Sequence, residues 1–82
     1  MTKTTMFAAQ PFEAGKRGKV LAGVPMEARD AEHAERIAKR MSFVKLGAIA
    51  FSTEVEIESG DAEPPVMIAS FGAVPEGVLE PV

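Results

Sequence analysis

The stretch Val55–Gly72, VEIESGDAEPPVMIASFG, decides how this chain is read. Together with Glu54 it places five carboxylates within ten residues: Glu54, Glu56, Glu58, Asp61 and Glu63. They are either a metal or catalytic site, or the wet face and turn of a β-hairpin. The segment SGDAEPP has the Gly, Asp and paired-Pro content of a loop. Before it the side chains alternate. Ile49, Phe51, Val55 and Ile57 share one phase, and Ala48, Ala50, Ser52, Glu54, Glu56 and Glu58 share the other. After it, VMIASFGAV reads as a second strand, apolar in both phases. Same-side residues on a strand are about 7 Å apart. A calcium ion needs several oxygens within about 2.6 Å, most often from a tight loop. The loop also lacks the D-x-[DN]-x-[DN]-G spacing of a calcium site. The stretch therefore reads as a hairpin whose acidic row stays in water and discourages edge-to-edge aggregation.

Upstream, residues 31–45, AEHAERIAKRMSFVK, predict an amphipathic helix. Ala34, Ile37, Ala38, Met41 and Val44 form its apolar stripe, and Asp30 is the expected N-cap. Glu32–Arg36 and Glu35–Lys39 have the i,i+4 spacing of helix ion pairs. Lys39, Arg40 and Lys45 crowd the C-terminal end, where the dipole favours cations, and Gly47 is the expected left-handed stop. Residues 4–12, TTMFAAQPF, read as a strand that ends at Pro11 or runs along an edge, because proline cannot donate to a ladder. EAGKRGK is a turn, and VLAGVPMEA is a strand weakened by Gly23 and Pro25. The expected fold is α+β: an antiparallel sheet of about four strands in the order ββαββ, with the helix packed on one face. Residues 1–75 form one domain in this reading, and residues 76–82 a mobile tail. Ile37, Met41, Phe51, Val55 and Ile57 are expected to share one core.

The run GAIAFSTEVEIESGDAEPPVMIASFGAVP, preceded by the helix AEHAERIA, resembles short uncharacterised proteins of alphaproteobacteria. Their pattern joins an Ala-rich helix to a G-A-x-A-F strand, an acidic turn and a terminal F-G-x-V-P. The resemblance covers about the C-terminal two-thirds of the chain and implies the strand and helix order, with no activity attached. One departure stands out: MSFVKL occupies Met41–Leu46, where the pattern has a tyrosine before the Gly-Ala pair.

Eighty-two residues make one small domain. A chain of this size buries only about 60% of its unfolded surface, so its core is marginal. With no cysteine, neither a disulfide nor a thiolate zinc site adds to that core. The net charge of −3 argues mildly against a general nucleic-acid binder. The first residues lack a secretory apolar region, and no stretch approaches a membrane span, so a cytoplasmic protein is expected.

Candidate chemistry is sparse. GKRGKV, Gly15–Val20, fails as a phosphate loop, having two residues between its glycines where a Walker motif has four. Lys16, Arg17 and Lys19 remain a candidate anion or nucleic-acid contact, with Arg36 and Arg40 on the helix flank beside His33. His33 is the only histidine, and no serine sits in a nucleophile-elbow context. No catalytic residue, metal site or cofactor is expected. Three readings follow: a small non-catalytic protein-interaction module, an anion- or nucleic-acid-associated accessory protein, and an enzyme using the glutamates and His33. The first is favoured, with the module a homodimer. One helix covers only part of a four-stranded sheet, so Ala48, Ala50, Ser52, Met67 and Phe71 are expected to form a dimer face.

Overall fold

A computed structural model describes residues 2–74. The elements are β1 (Lys3–Ala14), β2 (Val20–Ala22), β3 (Met26–Ala28), α1 (Ala31–Met41), β4 (Gly47–Glu56) and β5 (Val66–Gly72). All strand pairs are antiparallel, in the order β2-β1-β4-β5, with β3 also on β1. The α+β class is as expected, but there are five strands, and the order is βββαββ. The tail assigned to residues 76–82 lies outside the described residues.

The extra strand comes from Gly23 and Pro25. They split the expected strand 20–28 into β2 and β3, which both lie along β1. That split explains why β1 runs through Pro11 as a central strand. Within a strand, a residue's N–H and C=O point to the same side. The Pro11 carbonyl accepts from Gly23 N at 2.8 Å, so its nitrogen, which has no proton, also faces β2 and β3. The missing donor falls at the break between two short strands, and the ladder to β4 continues from Lys3↔Glu56 to Phe12↔Gly47.

The helix begins as expected. Asp30 Oδ1 accepts from His33 N at 2.7 Å, and His33 Nδ1 in turn accepts from Arg29 N at 3.0 Å. It ends four residues early. Ser42 Oγ donates to Lys39 O at 2.6 Å, and the backbone then tightens through Phe43 N–Arg40 O and Val44 N–Met41 O bonds. Gly47 is thus a strand residue and not the helix stop. It pairs with Gly72, and an added Cβ on Gly47 would meet the backbone carbonyls of Ala73 and Phe71.

The phase of β4 is the reverse of the expected one. Ala48 and Ala50 lie fully buried beneath the helix with Ala9, Ala28, Ala34 and Ala38, and Phe7, Ile37, Met41, Ile68, Ala69 and Phe71 pack around them. Ile49 alternates to the opposite face with Phe51, and Phe12 lies on that same face, two residues along β1 from Gln10, the residue opposite Ile49. Phe12 and Ile49 are the largest fully buried side chains among the described residues. The expected single core of Ile37, Met41, Phe51, Val55 and Ile57 is therefore divided between two faces. The helix presents alanines, and small side chains opposite them let it sit close to the sheet, where isoleucine or phenylalanine would hold it away.

The expected dimer face dissolves for the same reason. Ala48, Ala50 and Phe71 belong to the helix side, and Ser52 shares their phase. Met67 lies on the other face, across a register shift that leaves Ile68 as an extra residue.

Replacing Gly47 by alanine is predicted to lower stability by about 1–3 kcal/mol, because its Cβ would sit 2.7 Å from Phe71 O with only backbone to give way. A urea midpoint unchanged by Gly47→Ala would contradict the close β4–β5 approach.

Candidate functional site

A groove forms along the flank of α1 that faces β3. Spacing on the helix generates half of it: His33, Arg36, Ile37, Arg40 and Met41 recur at intervals of three and four and so share one side. Val44 extends the row past the helix end. The sheet supplies the other wall. Met26 on β3 pairs with Ala9 and so shares the helix side, and Arg29 leads from β3 into the N-cap. Together they line a groove of about 510 Å³.

Its floor is apolar, from Met26, Ile37, Met41 and Val44, and its rim carries Arg29, Arg36, Arg40 and His33. Among the described residues the ion pairs are Lys3–Glu63 and Lys45–Glu13, so no carboxylate reaches the three guanidinium groups. The i,i+4 spacing of Glu32–Arg36 and Glu35–Lys39 does not close into contact pairs. His33 accepts the Arg29 N–H through Nδ1, which ties its ring to the residue that leads into the helix.

The five candidate basic residues do not converge. Arg36 and Arg40 line the groove. Lys16, Arg17 and Lys19 lie exposed at the β1–β2 turn, where Arg17 adopts a left-handed backbone with φ of 60°. The helix packs on β1, β3, β4 and β5, not on that turn. The flank of His33, Arg36 and Arg40 was legible on a helical wheel. Met26 and Arg29 were missed, and their only signal was that Met26 shares a strand phase with the buried Ala28.

The acidic stretch is a hairpin connection. Glu63 N donates to Glu54 O, Glu56 N to Asp61 O and Gly60 N to Glu56 O, each at 2.8 Å, and Thr53 Oγ1 donates to Glu63 O at 2.7 Å. Its side chains secure the start of β1: Glu56 Oε1 accepts from Thr2 N at 3.0 Å, and Lys3 Nζ lies 3.1 Å from Glu63 Oε1. Among the described residues no three His, Cys, Asp or Glu side chains are placed to hold a metal ion. Nor is any helix there long and apolar enough to cross a membrane.

No family model matches the chain, and neither curated proteins nor solved structures give a significant match.

Glu54 and Glu63 titrate apart. The hydrogen bond and charge of Glu63 hold Glu54 above its ordinary value. Glu63 is lowered, first by its hydrogen bond with Glu54 and then by Lys3, whose own value is raised by Glu63. The lowered Glu63 contributes stability above its unfolded value, which is lost as pH falls through its folded one. The raised Glu54 contributes stability below its unfolded value, which is lost as pH rises through its folded one. The two effects act in different windows, one below and one above the ordinary carboxylate value, so the contribution of this end of the sheet is predicted to peak between the two folded values. Carboxyl-carbon NMR should find Glu54 titrating above Glu63, with the separation shrinking in Lys3→Ala. The reverse order would contradict this geometry.

Proposed function

We propose that this protein is a small non-catalytic interaction module whose groove takes an acidic, amphipathic segment of a protein partner. One observation carries the reading: three arginines that have no carboxylate partner among the described residues rim an apolar floor. Cations left unpaired beside accessible apolar surface suit a ligand that brings both carboxylates and hydrocarbon. An amphipathic helix laid in a groove does this through anchors at i, i+3, i+4 and i+7. Two of the floor residues are methionines, which adapt to varied apolar partners. Arginine also suits carboxylates because its guanidinium meets them with two parallel hydrogen bonds.

The second reading, an anion- or nucleic-acid-associated accessory protein, keeps the exposed Lys16, Arg17 and Lys19. It has less support. The groove has no aromatic side chain on which a base could stack, and the chain as a whole is acidic.

A fluorescent helical peptide with a Leu stripe and a Glu stripe is the direct probe, with single-stranded RNA as the rival. Anisotropy at two salt concentrations should show peptide binding that weakens with salt. Arg36→Glu with Arg40→Glu is predicted to lower peptide affinity at least about tenfold, since each charged hydrogen bond contributes about 1.5–3 kcal/mol. Lys16→Ala with Arg17→Ala should leave the peptide affinity unchanged. Salt-sensitive RNA binding that disappears in Lys16→Ala/Arg17→Ala, with no peptide binding, would replace this reading by the second.

A further inference from the structure

The two edges of the sheet are built differently. On one side β2 and β3 are three residues each, separated by Gly23–Pro25, and β3 carries Glu27. Short strands, a proline and a charge are the devices that keep an edge from pairing with another chain. On the other side β5 runs for seven residues, VMIASFG, with no proline and no charge. Among the described residues it pairs only with β4, so its outer backbone groups form an open ladder. Val66 is 63% exposed and Met67 42%, and the single irregularity is the extra residue Ile68.

We infer that β5 is the self-association edge, pairing antiparallel with β5 of a second copy about a two-fold axis to make one continuous sheet. Charge selects this direction. The Val66 end of β5 follows the acidic connection that holds Glu58, Asp61 and Glu63. The Gly72 end lies against Gly47, at the start of β4. Antiparallel pairing separates the two acidic connections by the length of the strand. That is about 23 Å at roughly 3.3 Å per residue, well beyond the screening length of about 8 Å at physiological salt. Parallel pairing would set like charges side by side. The strand itself is neutral, so nothing in it opposes its copy. Main-chain hydrogen bonds supply affinity in strand addition, and flanking apolar side chains such as Met67 and Val66 add to it. The arginine groove lies on the β3 side of the helix, at the other edge, and stays open in this dimer.

Light scattering after size exclusion, at micromolar protein, should give twice the chain mass. Val66→Lys with Met67→Lys should halve that mass while leaving the circular dichroism spectrum unchanged, since both side chains are exposed. Met6→Lys, on the sheet face away from the helix and separated from β5 by β4, should stay dimeric. In the unmodified chain, hydrogen exchange of the β5 amides should slow as concentration rises. A chain that is monomeric at these concentrations overturns the inference. So does a dimer that survives Val66→Lys/Met67→Lys but dissociates on Met6→Lys, which would place the interface on the sheet face.

Discussion

The close contact of alanine on alanine between α1 and the sheet is the constraint that the rest of the structure follows. Ala34 and Ala38 meet Ala9, Ala28, Ala48 and Ala50, all buried in one cluster. Such a seam yields little hydrophobic free energy per side chain, about 0.8 kcal/mol for each buried methylene-sized group. Its contribution is proximity, which draws the helix down and lets Ile37, Met41, Phe7 and Phe71 close around the seam. The larger apolar groups are displaced to the other face, where Phe12 and Ile49 are buried, each contributing about 1.5–3 kcal/mol. A small chain without disulfides thus distributes its core over both sides of a single sheet.

Position of the helix also sets the chemistry of its surroundings. The apolar helix-side phase of β4 ends near Ser52 and gives way to Glu54 and Glu56, which pair with Thr5 and Lys3 beyond the helix start. At the other flank the helix stands off from β3, and the gap becomes the arginine-rimmed groove. The broken edge formed by β2 and β3 serves two purposes at once. It leaves room for Pro11 in a central strand, and it places Met26 and Arg29 against the helix.

What could be read from sequence was local. The Asp30 cap, the alternation along β4 and the acidic hairpin each depend on neighbours in the chain, and each is present. The sheet's α+β class followed from those elements. The direction in which β4 faces did not follow. Hydrophobicity ranks Ile49 and Phe51 above Ala48 and Ala50, but the size of the facing helix residues outweighs that ranking. Pro11 read as a strand end because its missing donor is harmless only when another strand breaks opposite it. The helix end was obscured by Ser42, whose hydroxyl takes a backbone carbonyl. Of the groove, His33, Arg36 and Arg40 were visible from helical spacing. Met26 and Arg29 depend on β3 folding back along β1, a contact between distant segments.

Groove and open edge both rest on the alanine seam, because it fixes the depth and rotation of the helix on the sheet. Methyl NMR tests that seam most directly. The account predicts nuclear Overhauser contacts from the methyls of Ala34 and Ala38 to those of Ala48 and Ala50, with none from Ala38 to Ile49. Contacts from Ala38 to Ile49 and Phe51, with Ala48 and Ala50 silent, would reverse the phase of β4 and contradict it.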